Sequence, residues 1–292
     1  MAPVYKVALV QLHPKPLAPA ENFEKASSFI KGAASKGSHL AVLPEYHLTS
    51  WVPDEPGFKA SCAESEVYLK RYQDLARELS ICIVPGTIIE TKGDSLHNIA
   101  YFISSNGEIA GSYQKKNLWH PERPHLVSSA HQPHVAFDTP LGRVGLLVCW
   151  DLAFPEAFRE LITDGAEIIC IPSFWTLKDV SDPAYALNPE GEGLFLNSAI
   201  VSRAFENTCA VVYVNAGGPA EEGEETNFAG LSQVGVPHVG ALGRLGRAEG
   251  ISFVDLDMGV VKLAEGNYKV REDMKREGWH YAYTQIRNGE KP

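Results

Sequence analysis

Val144-Gly145-Leu146-Leu147-Val148-Cys149-Trp150-Asp151-Leu152-Ala153-Phe154-Pro155-Glu156 is the stretch that decides how this chain folds. Its first five residues form the apolar run expected of a buried strand. Pro155 suits a first helical position, so the chain must turn sharply in between. Cys149 sits on that turn. A thiol so placed stands clear of the sheet, beside unused backbone N–H groups at the positive end of a helix dipole. Such surroundings are expected to lower a thiol pKa and to bind an oxyanion. A strand cysteine is ordinarily one more buried thiol. The abrupt switch from apolar to polar residues after Cys149 favours a nucleophile.

The other cysteines argue by contrast. Cys82, Cys170 and Cys209 lie inside apolar, strand-like runs, and Cys62 begins a helical stretch. None are spaced as C-x-x-C, which speaks against a zinc site or a thioredoxin-like motif. The count of five is odd. The early apolar run Val7-Ala8-Leu9-Val10 is too short to span a membrane, and nothing near it resembles a signal peptide. A cytoplasmic setting with free thiols is the expectation.

The 292 residues are 45% hydrophobic and 21% charged, the composition of a soluble globular protein. A formal net charge of −10 argues against nucleic acid or an anionic membrane as partner. No repeat, low-complexity tract or linker divides the chain, so one domain is expected. Strands are predicted at 5–12, 39–43 and 81–85. A helix at 20–34 carries Phe23, Ala26, Ile30 and Ala33 on one face, and another carries Tyr68, Tyr72, Leu75 and Leu79. Asn106-Gly107 between alternating runs predicts a hairpin of 98–104 with 108–113. Beyond Cys149 come a helix at 155–163, a strand at 167–171, a helix at 194–206 and strands at 208–214, 229–236 and 251–256. Crossovers together with hairpins imply a mixed α/β architecture.

Two charged positions stand out. Glu45 follows Leu40-Ala41-Val42-Leu43-Pro44 and so leaves a strand as Cys149 does. Strand carboxyl ends converge on the ligand crevice of open α/β sheets, although a single Glu is by default a solvated loop carboxylate. In Tyr113-Gln114-Lys115-Lys116-Asn117, strand alternation separates the two lysines, so one can point inward while the other faces water.

Pro44-Glu45-Tyr46, Tyr113-Gln114-Lys115 and Gly145-to-Asp151 with Phe154-Pro155-Glu156 together resemble the three signature segments of the nitrilase superfamily of carbon–nitrogen hydrolases. Ser202-Arg203-Ala204-Phe205-Glu206-Asn207 and Tyr268-Lys269-Val270-Arg271-Glu272-Asp273 extend the likeness over essentially the whole chain. The resemblance implies a single-domain, four-layer α-β-β-α sandwich over 1–273, with a C-terminal arm over 274–292. It implies that Cys149 is the nucleophile, Glu45 the general base, Lys115 the cation beside the oxyanion, and Glu122 an additional pocket glutamate. No metal or organic cofactor is implied. The substrate would be a small amide, with a nitrile or a ureido (N-carbamoyl) compound as alternatives. Nitrile-cleaving members typically carry Cys-Trp-Glu, so Cys149-Trp150-Asp151 is more similar to the amidase and carbamoylase branches. The resemblance departs at Asn117, where histidine is common, and at Gln114, where arginine is common. A catalytically silent binder or scaffold on the same fold is the competing class. It would be expected to have lost at least one of the acid/base, cation and thiol groups.

Trp150, Phe174 and Trp175 follow strand termini and, with Trp119 and Tyr46, are expected to wall a substrate pocket. His120, His125, His131 and His134 match no familiar metal-ligand spacing and lie among prolines, so structural or pocket-edge roles are expected. The glycines of 240–247 do not lie between a strand and a helix, which speaks against a phosphate loop. Glu221-Glu222-Gly223-Glu224-Glu225 is expected to be a solvated loop. The aromatic and charged segment 266–287 suits an arm lying across a second subunit, hence a homodimer.

Overall fold

A computed structural model describes residues 2–219 and 227–279. The first half of the chain builds one sheet and its cover: β1 (Val4–Gln11), α1 (Pro19–Ser35), β2 (Leu40–Val42), α2 (Phe58–Cys62), α3 (Ser65–Leu79), β3 (Cys82–Val84), β4 (Thr87–Lys92), β5 (Ser95–Ile103) and β6 (Ile109–Gln114). The second half builds another: β7 (Phe137–Thr139), β8 (Gly142–Leu146), α4 (Pro155–Thr163), β9 (Ile168–Ser173), α5 (Asp182–Leu187), α6 (Gly191–Glu206), β10 (Ala210–Asn215), β11 (Gln233–Val236) and β12 (Gly240–Leu242). β13 (Gly250–Asp257) then returns to the first sheet, before α7 (Met258–Tyr268) and α8 (Val270–Met274).

Strand order is β13-β1-β2-β3-β5-β4, with β6 also on β5, in the first sheet, and β12-β11-β10-β9-β8-β7 in the second. β1 pairs parallel with β2 and antiparallel with β13, so a strand far away in sequence closes that sheet. Alternation along β1 explains the layering. Ala8 and Val10 face the apolar stripe of α1 (Phe23, Ala26, Ile30, Ala33) and the Tyr68, Tyr72 and Leu75 face of α3. Val7 and Leu9 face the other way, into a core shared with Val144, Leu146, Ile169 and Ile171 of the second sheet. The second sheet is covered in turn by Phe158 and Leu161 of α4 and by Leu196 and Ile200 of α6. The result is the expected four-layer α-β-β-α sandwich. Fully burying one such Phe or Ile contributes about 1.5–3 kcal/mol, so Ile30→Asp would remove the α1 anchor and add an unpaired buried charge.

The expected elements are present, with differences that have physical reasons. The strand expected at 229–236 begins only at Gln233, because Gly230 (φ 61°) and Leu231 (φ 62°) turn the backbone into the left-handed region. Cys62 ends a short helix rather than beginning one. β4 is an addition to the expected strands: it pairs through its whole length with β5, but only its first half is buried, so its Thr87-Ile88-Ile89-Glu90-Thr91-Lys92 carries no clear alternation. α8 spans the boundary expected at 273–274, and Arg271 there donates to Ile162 O and Ala166 O of the same chain. Residues 280–292 of the expected arm, with Tyr281 and Tyr283, and the acidic stretch at 221–225 lie outside the described residues.

Candidate active site

Glu45, Lys115 and Cys149 each follow the end of a strand, and Glu122 closes the 3-10 turn His120–Glu122. Beyond β2 the chain runs through Pro44 to Glu45, whose N–H donates to Ser173 O at the end of β9 (3.2 Å), tying the two sheets together. Gly86 holds the same loop from behind. It has φ +60°, and a Cβ there would lie 1.8 Å from Pro44 O, so only glycine permits that approach. Tyr46 (φ 54°) then turns back, its N–H donating to Thr87 Oγ1 (3.2 Å).

Cys149 follows β8 with φ 46°, a left-handed conformation that costs a non-glycine residue of order 1 kcal/mol or more. The turn is held by Leu147 N–H donating to Cys170 O (3.0 Å) and by Asp151 Oδ2 accepting from Val148 N–H (2.9 Å). Cys149 to Ala153 form a 3-10 turn before α4. The N–H of Trp150, in its first turn, therefore precedes any intrahelical acceptor. Lys115 follows β6, its N–H donating to Asn98 O (2.9 Å), and its side chain is 1% exposed. Lys116 points the other way and its ammonium lies 3.7 Å from Glu160. Lys115, one residue beyond β6, is thus turned inward, but Lys116 does not face water as expected: its side chain is 17% exposed and its ammonium also lies 3.3 Å from His134 Nδ1.

The charged groups converge. Lys115 Nζ donates to Glu45 Oε1 (2.9 Å) and to Glu122 Oε1 (2.7 Å). Asn98 Nδ2 donates to Glu45 Oε1 (2.7 Å) and to Tyr46 Oη (2.9 Å), and the Tyr46 hydroxyl donates to Glu122 Oε1. Trp119 N–H fills Glu122 Oε2 at 2.7 Å. Two acceptors of this cluster are left over: Glu45 Oε2 and Asn98 Oδ1 are buried and have no hydrogen-bond partner among the described residues. An ammonium has three donors, so Lys115 also keeps one N–H beyond its two carboxylates.

Burial dominates the proton affinities. It raises Glu45 to about 7, with Glu122 adding to the rise and Lys115 and Asn98 opposing it. Burial alone would lower Lys115, but Glu122 and Glu45 overturn that and hold it well above the usual lysine range. The Cys149 thiol is pushed up, first by burial and then by the Glu45 carboxylate, and Lys115 and the Ser173 hydroxyl only partly offset this. The expectation of a lowered thiol pKa is therefore corrected. The cation and the turn are present, but Lys115 is already neutralised by two carboxylates, and desolvation wins.

A second set of contacts fixes the turn. Asp151, fully buried, accepts from Tyr113 Oη (2.8 Å), Asn117 N–H (3.1 Å) and Asn117 Nδ2 (2.8 Å), besides Val148. The departure at Asn117 thus has a structural role, since its amide ties the lysine loop to the Cys149 turn. Gln114 donates to Val127 O (2.8 Å), bracing the outer side of that loop. Of the four clustered histidines, His134 is buried on Tyr113 and Glu160, His125 lies 3.7 Å from Asp54, and His120 packs on Trp119. Among the described residues no group of three or more His, Cys, Asp or Glu could hold a metal ion.

Glu45, Lys115, Glu122 and Cys149 open on one cavity of about 400 Å³. Tyr46, Trp119, Trp150, Phe174 and Trp175 line it, so every anticipated site residue is brought together there. Trp51, Phe195, Thr176, Asp179 and Glu192 also line it, and sequence reasoning misses them as site residues. Trp51 stacks on Tyr46 with centroids 4.7 Å apart, and Phe195 packs on Trp175 at 5.6 Å. Asp179 accepts from Thr176 N–H (3.0 Å) and Oγ1 (2.8 Å), and Glu192 accepts from the Trp175 indole N–H. Nothing in the local sequence around 179 or 192 marks a site, because the loop after β9 and the start of α6 meet the cavity only through topology.

A family model described as carbon-nitrogen hydrolase matches residues 6–265. A 2-oxoglutaramate amidase of Bacillus subtilis is 28% identical over 266 residues, covering 89% of this chain and 93% of that protein. A nitrilase of Pyrococcus abyssi is 30% identical over 260 residues, covering 86% and 90%. The solved structure of a mutant of the amidase from Nesterenkonia sp. AN1, showing the result of Michael addition of acrylamide at its active-site cysteine, superposes with a TM-score of 0.73 at 26% identity, covering 91% of this chain and 98% of that one.

Proposed function

Because this chain belongs to the carbon–nitrogen hydrolase family, we propose that its cavity hydrolyses a small amide through a thioester on Cys149. Membership makes the protein an enzyme acting on C–N bonds other than peptide bonds. The observation that carries the mechanism is the unpartnered, buried Glu45 Oε2 in the cavity that Cys149 and Lys115 also line.

In this mechanism Cys149 Sγ attacks the amide carbon while Glu45 Oε2 takes the thiol proton. Because burial disfavours a free thiolate, transfer and attack proceed together. The remaining Lys115 N–H and the Trp150 N–H face the developing oxyanion. Glu45 passes the proton to the departing nitrogen as the C–N bond breaks, leaving the thioester. Glu45 next deprotonates a water, which adds to the thioester. Collapse expels the Cys149 sulfur, the proton returns to it, and a carboxylic acid is released. Glu122 and Tyr46 hold Lys115 on station. The silent-scaffold alternative gains nothing here, since no member of the thiol, acid/base and cation set is missing.

Intact mass after brief exposure to a small amide tests this directly. An acyl adduct should appear on Cys149, with ammonia release in steady state. The same experiment with the matching nitrile separates the two substrate classes, since a nitrilase would acylate from the nitrile at least as fast.

The homodimer and the cytoplasmic setting are part of the same proposal. A dimer through the α6 layer is supported by exposed apolar side chains at Leu194 and Phe205 of α6 and at nearby Tyr268, which packs against Phe205. The cytoplasmic setting is supported by the five free cysteines. Among the described residues no helix is long and apolar enough to cross a membrane.

A further inference from the structure

The cavity carries charge beyond Glu45, Lys115 and Glu122. Beyond the catalytic groups its walls are aromatic: Trp51, Trp119, Trp150, Phe174, Trp175 and Phe195. Two carboxyls, Asp179 and Glu192, are the ionisable groups set among them. Both are held from one side by cavity-wall donors, Asp179 by Thr176 and Glu192 by Trp175 Nε1. They sense each other and the catalytic centre. Burial raises Asp179, opposed by the Thr176 hydrogen bonds and by Lys115 while Glu122 adds to the rise; burial also raises Glu192, opposed by the Trp175 indole while the Asp179 charge adds to the rise. Against the four lining carboxyls stands one lining cation, Lys115, and it already contacts Glu45 and Glu122. Lys178, adjacent to Asp179 in sequence, is exposed and does not line the cavity.

Resting on the amidase reading, we propose that the preferred substrates are amides whose acyl chain carries a cationic group, seated between the indole faces and the Asp179 and Glu192 carboxylates. Aromatic faces attract ammonium and guanidinium groups, and more strongly once these are desolvated. A partly buried carboxylate pair gains from a cation that neutralises it. An amide bearing a carboxylate meets the opposite situation. It finds no unpaired cation among the described lining residues and two like charges where its own would lie, so it is rejected by an unmatched buried charge.

The test compares kcat/KM for three near-isosteric amides at fixed ionic strength: 5-aminopentanamide (cationic), hexanamide (neutral) and glutaramate (anionic). Shorter homologues of each cover the reach of the pocket. The expected order is cationic over neutral over anionic, each step tenfold or more. In Asp179→Asn/Glu192→Gln the cationic-to-neutral ratio should fall at least tenfold. Should the double variant fail to fold, Glu192→Gln alone, at a half-buried position that keeps its acceptor for Trp175, should lower the ratio severalfold. Inhibition of the unmodified protein by pentylammonium but not by pentanoate checks the same point without any substitution. Glutaramate turned over as well as hexanamide, or a ratio unmoved by the substitutions, would overturn the inference. A Cys149 thioester formed from hexanamide without cation preference sinks this inference alone, whereas no thioester from any of the three sinks the amidase reading with it.

Discussion

Replacing Glu45 by glutamine separates the chemistry of the base from its effect on stability, because burial gives the two opposite pH dependences. In the folded protein Glu45 binds its proton up to about pH 7, against its ordinary 4.5. Between those values the folded state holds more protons than the unfolded chain. Stability therefore falls as pH rises from 4.5 through about 7, and is flat on either side. Moving a carboxyl from 4.5 to about 7 corresponds to roughly 3 kcal/mol. In Glu45→Gln the amide keeps the shape and the acceptor for Asn98 and Lys115 but cannot ionise, so that slope should vanish. Denaturant titrations from pH 4 to 8.5 should show the wild type losing about 3 kcal/mol more than the variant over this window. Turnover should behave in the reverse sense. The wild-type kcat/KM should rise through pH 7 as the carboxylate forms, while Glu45→Gln falls by about 10²–10⁴ and loses that limb. Parallel stability curves for the two proteins would refute the placement of the raised carboxyl at Glu45. A wild-type rate independent of pH between 5 and 9 would refute its role as base.

Three further outcomes follow. Cys149→Ala should abolish hydrolysis while leaving the circular dichroism spectrum and melting transition in place, whereas Cys170→Ala, in a fully buried strand position, should cost about 1–2 kcal/mol of stability and spare turnover; the reverse pattern would misplace the nucleophile. Lys115→Ala should lower kcat about 10²–10³-fold, the effect of losing a preorganised oxyanion donor, and Lys116→Ala severalfold at most, so equal losses would contradict the strand register that separates them. Light scattering at micromolar concentration should give at least twice the 31.9 kDa chain mass, and a single species at that mass would refute the dimer.

What could be read from the sequence was what local geometry dictates. The apolar run into Cys149 and Pro155 at N1 of α4 encode the Cys149 turn within a dozen residues. Asn106-Gly107 sets the β5–β6 hairpin, and its alternation leaves one lysine inside. Proton affinities were not legible. Cys149 beside a lysine on a polar turn suggests a thiolate, yet the thiol is only 8% exposed and Lys115 is shared by Glu45 and Glu122, which come from other parts of the chain. Desolvation depends on everything packed around a group, and no spacing rule carries it.

The charge of the pocket was hidden for a different reason. Asp179 is held by Thr176 in a local turn, whereas Glu192, in α6, is held by the indole of Trp175 from the loop after β9. A turn like the first is common at the surface, where the same residues would be solvated and carry no information, and the second contact exists only in the folded chain. What changes their meaning is the parallel pairing of β8 with β9, which brings the loop after Ser173 beside the loop after Leu146. Trp175 and Trp150 then meet with centroids 5.5 Å apart, and the carboxylates at their edges come to face the cavity of Cys149. Glu45, Lys115 and Cys149 follow strand ends, where a short local pattern is enough to single them out. The charge of the remaining cavity wall comes from the segments between, and its sign emerges only once the sheet has placed those segments side by side.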